Sequence, residues 1–417
     1  MSGRLVLIGS GETAPTMVKL HRTLLATSPA GERSVIDTPF GFQANADDLT
    51  DKISEYFAQS VGTPVTPARW RRREDQVSSR ERTLAQLARS GWVFSGPGSP
   101  SYALRQWADS PVPRTLASVI DSGGTVVFGS AAAVTTGSHS LPVYEIYKVG
   151  DDPYWDTGLD LLSSVADITA AVIPHFDNRE GGRHDTRFCY VGESRLHQLE
   201  AMLPDEVGIV GIDEHTAIVI DSSFVEVHGA GTMTVRYRGR EQIVQAGESM
   251  AVDQLREWVS GAGTSASRIS STVAAPIDEL PSGASDVTSL RTAAERSKAA
   301  FDAARQTNDI DLALEACLDL ENTIHAWGAD TLQGEDMDIA RATLRAMIVD
   351  LASMAEAPRV SPRELLDPIV SVVLQARTQA RANKDFAMSD LLRDGLLTAG
   401  IEVRDTPEGT RWELTER

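Results

Sequence analysis

Thr125-Val126-Val127-Phe128-Gly129-Ser130-Ala131-Ala132-Ala133 is the stretch on which the fold turns. Its first four residues are β-branched or aromatic and predict a buried strand, and the small residues that follow open a helix. A serine at such a strand–turn–helix corner is lifted to the carboxyl end of the sheet, beside backbone N–H groups able to stabilise an oxyanion. A Gly-Ser-Ala corner also serves as a plain structural turn, so both readings of Ser130 stand at this point.

Outward from that corner, apolar runs at 5–8, 34–36, 92–94, 170–173 and 207–210 alternate with amphipathic stretches at 17–25 and 49–57. Buried strands separated by helices imply an α/β fold, a mainly parallel sheet with helices on both faces. After Glu214 the runs 217–220, 224–227, 232–237 and 242–244 are broken by Gly229-Ala230-Gly231 and Gly239. They predict an antiparallel hairpin extension at one end of the sheet. Residues 261–285 are rich in Gly, Ser, Ala and Pro without periodicity and read as a flexible linker.

Three helical patterns follow, near 287–305, 309–327 and 335–356. The second carries Ala313, Cys317, Leu320, Ile324 and Trp327 on one face, which makes Cys317 a core residue; the third carries Ala340, Leu344, Met347, Ile348 and Leu351. Asp367-Pro368 predicts a helix start. A further helix presents Met388, Leu391, Leu392 and Leu396 on one face and stops at Gly400, and a small hairpin turns through Pro407-Glu408-Gly409. The expected organisation is an α/β domain over 1–260, the linker over 261–285, a helical bundle over 286–358 and a helix–hairpin tail over 359–417.

A chain of 417 residues suits two or three domains. No apolar run approaches the ~20 residues that span a bilayer, and Met1-Ser2-Gly3-Arg4 leads into a strand without a signal-peptide layout. With two cysteines only, a reducing, cytoplasmic setting is expected. The net charge of −20 disfavours nonspecific nucleic-acid binding, which rests on Lys and Arg, but leaves room for a local basic site.

Further segments carry candidate chemistry. In Ser95-Gly96-Pro97-Gly98-Ser99-Pro100-Ser101-Tyr102 the Gly98 N–H is a candidate oxyanion donor, or part of a tight helix entry. In Ile173-Pro174-His175-Phe176-Asp177, His175 is a candidate base at a strand end, where a histidine also serves structurally. In Gly211-Ile212-Asp213-Glu214-His215-Thr216-Ala217, Glu214 is placed to orient an imidazole. Between them a glycine-hinged loop offers Arg183 and Arg187 to an anionic substrate, with surface ion pairing as the alternative. Tyr144-Glu145-Ile146-Tyr147-Lys148-Val149-Gly150 reads as a loop or short strand whose residues, Tyr144 first, line a pocket. His175, Asp177 and His184 lack standard metal-ligand spacing, so no metal or other cofactor is expected. Gly9-Ser10-Gly11-Glu12-Thr13-Ala14 fits a dinucleotide fingerprint, with Asp37 as the ribose contact, and keeps nucleotide binding open.

Together these segments resemble the cyanophycinase and peptidase E group of serine hydrolases, over roughly residues 1–250, a group that shares the fold of class I glutamine amidotransferases. The resemblance implies a peptidase or amidase acting on a small peptide or amide, with Ser130 as nucleophile, His175 as base, Glu214 as orienting acid, and Gly98 and Ala131 as oxyanion donors. Phe128 and Ala132 stand where the group carries elbow glycines, so a closed elbow and weak or absent activity form the alternative expectation.

The run Ala376-Arg377-Thr378-Gln379-Ala380-Arg381-Ala382-Asn383-Lys384-Asp385-Phe386-Ala387, continued through Gly400-Ile401-Glu402-Val403-Arg404-Asp405-Thr406-Pro407-Glu408-Gly409, resembles the C-terminal end of cysteinyl-tRNA synthetases. The preceding helices resemble that family's bundle more weakly. HIGH-type and KMSKS-type motifs are missing and two cysteines cannot supply the family's zinc site, so no aminoacyl-tRNA synthetase activity is expected. Residues 286–417 are left with tRNA contact, through Arg377, Arg381, Lys384 and Arg393, or with protein interaction and homo-oligomer formation.

Overall fold

The structure is a computed structural model, and it describes residues 3–179, 181, 184–262, 289–328, 334–356, 362–406 and 409–415. The linker expected at 261–285 lies almost wholly outside the described residues. The described chain groups into two compact units, Met1–Met347 and Ile348–Arg417.

In the first unit the apolar runs become β1 (Arg4–Ile8), β2 (Glu32–Ile36), β3 (Thr66–Ala68), β4 (Ser90–Ser95) and β5 (Thr125–Gly129). They are followed by β6 (His139–Ser140), β7 (Asp156–Thr157), β8 (Ala170–Ile173), β9 (Gly208–Ile212) and β10 (Thr216–Ile220). The series closes with β11 (Phe224–Gly229), β12 (Thr232–Tyr237), β13 (Arg240–Gln245) and β14 (Ser249–Ala251). The strands form two sheets, ordered β14-β11-β10-β1-β5-β4-β2-β3 and β13-β12-β9-β8-β6-β7.

The expected hairpin extension at one end of one sheet is therefore corrected. β10, β11 and β14 extend the first sheet while β12 and β13 extend the second. The parallel ladders are β1–β5, β5–β4, β4–β2 and β2–β3 in the first sheet, and β6–β8 and β8–β9 in the second.

Strand alternation shows why the first sheet is covered on both faces. Leu5, Leu7, Val126 and Phe128 enter one core, whereas Val6, Ile8 and Val127 enter another with Trp92 and Phe94. Val172 of β8 and Val210 of β9 join the first of these cores, so both sheets share it. Phe128 is fully buried and stacks on Trp107 at 5.6 Å. Its ring packs in the core.

The first unit also holds helices Leu290–Gln306 and Ile310–Ala326. Ala313, Cys317, Leu320 and Trp327 are buried along the predicted face. Cys189 and Cys317 are both free. The helix Gly334–Glu356 buries Ala340 and Met347 but exposes Ile348.

The second unit is built from helices Pro362–Ala382 and Phe386–Thr398 with β15 (Ile401–Thr406) and β16 (Gly409–Leu414). Val370, Leu396, Ile401, Val403 and Trp412 form its core. Two expectations are corrected here. The first helix starts at Pro362, the favoured first-turn place for proline, and Pro368 lies inside it. Asp367 accepts the Trp412 indole N–H at 3.1 Å instead of capping. On the second helix Leu396 is buried, but Met388 and Leu391 are exposed. Gly400, at φ +81°, takes the left-handed stop foreseen for it. No helix of the described residues is long and apolar enough to cross a membrane.

Candidate active site

Three strand ends bring the site together. Ile8 pairs with Gly129 in register at the ends of β1 and β5, so Ser130 emerges beside the Gly9 turn. Ser130 has φ +46°, a left-handed value rarely adopted outside glycine, and it opens the short helix Ser130–Val134. Such strain persists only where surrounding contacts enforce it. Gly129 leaves no space for a side chain, because a Cβ there would meet Glu12 at 2.8 Å.

His175 follows β8 and also has a positive φ, +49°. Its N–H donates to the Gly9 carbonyl at 3.2 Å, and the next N–H, of Phe176, donates to Ile212 at 3.1 Å. The loop is thereby fixed to β1 and β9. Ser130 Oγ lies 2.9 Å from His175 Nε2, and His175 Nδ1 lies 2.7 Å from Glu214 Oε1. Ser130 and His175 are 3% and 5% exposed, which excludes bulk water from that contact.

Glu214 sits in the turn between β9 and β10. Asn178 Nδ2 donates to the same Oε1 at 3.0 Å, and the Glu214 N–H donates to Asp177 Oδ1 at 2.8 Å. Asp213 stabilises the turn from the other side, its Oδ2 accepting from the Thr232 N–H and hydroxyl at 2.8 and 2.7 Å. Burial pushes the Glu214 carboxyl up, but hydrogen bonds from His175 and Asn178 and the nearby imidazoles outweigh it and hold it below the usual range. Burial raises the neighbouring carboxyls of Asp177 and Asp213. Three adjacent acids are thus driven apart, with the one facing His175 kept ionised.

A cavity of about 310 Å³ lies over Ser130 and His175. Gly98, Ala131 and Tyr144 line it, as expected. Gly98 has φ +143°, and a Cβ there would meet the Pro39 carbonyl oxygen at 2.1 Å, so only glycine fits. Tyr147 and Lys148 of the Tyr144 segment line it too, and so does Tyr190, which was not singled out from sequence. Glu145–Val149 form a wide helical turn, not a loop or strand, and Tyr144, Tyr147 and Lys148, three and four residues apart, line the cavity. The rings of His175 and Tyr190 lie 5.9 Å apart and those of Tyr190 and Tyr147 5.3 Å apart, forming an aromatic wall beside the base. Cys189 also lines the cavity, but burial pushes its thiol well up, leaving it protonated and a poor nucleophile.

Other expected contacts are not brought here. Arg187 is held by Asp185 through two bonds of 2.9 Å and stacks on Phe188 at 4.9 Å, so the surface-pairing alternative describes it. Arg183 lies outside the described residues. Asp37 is fully buried, accepting from the Trp70 N–H at 3.2 Å and from Arg71 Nε at 2.6 Å, which corrects its reading as a ribose contact. The glycines of the apparent dinucleotide fingerprint serve close packing. A Cβ on Gly9 would meet the Asp213 carbonyl oxygen at 2.0 Å, and one on Gly11 the His215 ring at 2.2 Å. Among the described residues, no group of three or more His, Cys, Asp or Glu is arranged to hold a metal ion.

Comparison with solved structures shows that the first unit shares its α/β fold with a known protein. A peptidase from an acI-B1 Actinobacterium matches 60% of this chain and 97% of its own, with a TM-score of 0.50 and 21% identity. At that identity the likeness shows a shared fold. The C-terminal region has a separate kinship. Residues 363–412 match the family described as cysteinyl-tRNA ligase anticodon binding domain. A cysteine–tRNA ligase of Chlorobium luteolum is 36% identical over 107 residues, 26% of this chain and 22% of the ligase. One from Desulfovibrio desulfuricans is 54% identical over 56 residues, 13% and 12% of the two chains. The chain spans about a fifth or less of the length of these two curated relatives.

Proposed function

We propose that the first unit is a serine hydrolase that cleaves an amide or peptide bond. The observation that carries this reading is the continuous relay of 2.9 and 2.7 Å from Ser130 through His175 to Glu214. His175 Nε2 takes the Ser130 proton as Oγ attacks the carbonyl carbon, and the same proton is then given to the departing amine. Glu214 accepts the Nδ1–H, which fixes the tautomer that leaves Nε2 free and stabilises the imidazolium. The N–H of Ala131 belongs to the first turn of a helix, where N–H groups have no intrahelical partner. With the N–H of Gly98 it forms the oxyanion site, each donor worth roughly 3 kcal/mol. Water then attacks the acyl-enzyme with His175 again as base. The test is turnover of short peptide amides and p-nitrophenyl esters. Ser130→Ala and His175→Ala are each expected to lower it at least ~10³-fold, and unchanged turnover in either would reject the assignment.

For residues 363–412 the likeness to an anticodon binding domain supports contact with tRNA. The basic stripe expected there is reduced, since Arg377 and Arg381 both bind Asp405 at 2.8–2.9 Å. Lys384 and Arg393 remain as phosphate contacts. A salt-dependent gel shift with tRNA(Cys), lost on deletion of 286–417, is the expected result, and no shift at low salt would reject it.

A further inference from the structure

Beside the cavity over Ser130 lies a second hollow of about 510 Å³, for which the chemistry at Ser130 has no use. Tyr144 and Lys148 line both spaces, and Phe42, Ser99, Tyr102 and Arg105 complete the second. One side of it is aromatic. The rings of Phe42 and Tyr102 meet at 5.1 Å, tilted by 53°, and Phe42 is 48% exposed although large apolar side chains are usually covered.

The remaining side is cationic. The Arg105 guanidinium lies 5.9 Å from the Tyr102 ring centre, and the Lys148 ammonium 5.0 Å from that of Tyr147. Neither cation is within ion-pair distance of a described carboxylate, whereas Arg71, Arg73, Arg187 and Arg236 of the same unit are all held by carboxylates. The far flank of Arg105 faces Glu145 and Asp156 in an adjoining pocket, where Glu145 also accepts the Ser101 hydroxyl at 2.8 Å and the Arg105 charge opposes the rise that burial gives the Asp156 carboxyl. No carboxylate among the described residues lines either the cavity or the hollow. Within the hollow itself two exposed cations face no carboxylate, an arrangement suited to an anionic group.

We propose that this hollow is a subsite for the C-terminal residue of a peptide substrate. An aromatic side chain packs on Phe42 and Tyr102, and the free α-carboxylate is bound by Arg105 and Lys148. Ring and carboxylate features share one hollow, so one residue bearing both groups fills it. An acidic side chain would leave the aromatic surface uncovered, and a neutral aromatic one would leave the cations unpaired. The proposal rests on the reading of Ser130 as the reactive centre next door.

The test is calorimetric titration of the full 417-residue chain carrying Ser130→Ala with three peptides: Gly-Gly-Phe as free acid, its C-terminal amide, and Gly-Gly-Ala as free acid. The free acid of Gly-Gly-Phe is expected to bind about tenfold tighter than its amide, the scale of one charge-assisted hydrogen bond. It is also expected to bind more tightly than Gly-Gly-Ala. Adding Arg105→Gln should erase most of the acid–amide difference, and adding Phe42→Ala most of the Phe–Ala difference. Equal affinity for acid and amide, or no measurable binding of any of the three, overturns the subsite. Covalent labelling of wild-type Ser130 by a fluorophosphonate judges the reactive centre separately. Lost labelling with intact discrimination overturns that reading alone, and labelling without discrimination overturns the subsite alone.

Discussion

The Asp177 carboxylate accepts the backbone N–H of Glu214 at 2.8 Å, so the loop that presents His175 also fixes the turn that presents its acid. Asp177 is a positioning residue for Glu214. Asp177→Ala is expected to lower kcat/KM about tenfold, the low end for loss of an orienting contact. Asp177→Asn, which keeps a carbonyl acceptor, should restore most of it. A purely structural role would instead lower the melting temperature with kcat/KM unchanged, so both are measured on the two variants.

Glu214→Gln tests the acid directly. Glu214 is held below the usual carboxylate range and stays ionised through neutral pH, where it supports the imidazolium. The amide removes that charge and can impose the wrong tautomer, and a loss of about 10³–10⁴-fold in kcat is expected. The sign for stability follows from the same shift. The contribution of the lowered Glu214 is present above the unfolded pKa and is lost as pH falls through the folded one. The stability advantage of wild type over Glu214→Gln should therefore shrink on acidification, as read from denaturant midpoints.

His21 is fully buried among Tyr56, Phe57, Trp92 and Phe94, and its Nε2–H donates to the Glu12 carbonyl at 2.7 Å. Burial lowers its pKa to about 4. Between that value and the unfolded ~6.5 the unfolded chain binds the extra proton, so stability is complete above the window and falls as pH drops through it. The total is about 3 kcal/mol. His21→Gln, which keeps a donor, should flatten the pH dependence of the denaturant midpoint over this window, and an unchanged slope would contradict the assignment.

In the second unit Arg377 is buried and held by both oxygens of Asp405, which also binds Arg381. The arginines hold the Asp405 carboxyl far below its usual range. Asp405 is itself 46% exposed, so solvent screens part of this. Asp405→Asn is expected to destabilise the unit by about 1–2 kcal/mol, with little change in hydrolysis. Hydrogen exchange across 362–406 at rising guanidinium checks it.

The strands legible in the sequence are those buried on both faces. Leu5-Val6-Leu7-Ile8 and Val126-Val127-Phe128 are continuous apolar runs because each alternate side chain enters a different core. The corners that follow such strands placed Ser130, His175 and Glu214 among the candidates, since strand ends are where side chains leave a sheet. The two-residue strands β6 and β7 have no periodicity to read. The assignment of β10 and β12 to different sheets depends on long-range pairing that their similar alternation does not encode. Arg187 pairs with Asp185, two residues away, because the side chains fold back on each other, and spacing alone does not decide between surface pairing and substrate contact. The Gly9 and Gly11 pattern was ambiguous because close approach to Asp213 and His215 requires the same residues as close approach to a phosphate.

The most direct measurement is mass mapping of a fluorophosphonate adduct. Wild-type protein is expected to gain one label, located on the peptide that contains Ser130, at a rate reduced at least ~10²-fold by His175→Ala. No adduct, an adduct on another residue, or equal labelling of Ser130→Ala would contradict the account.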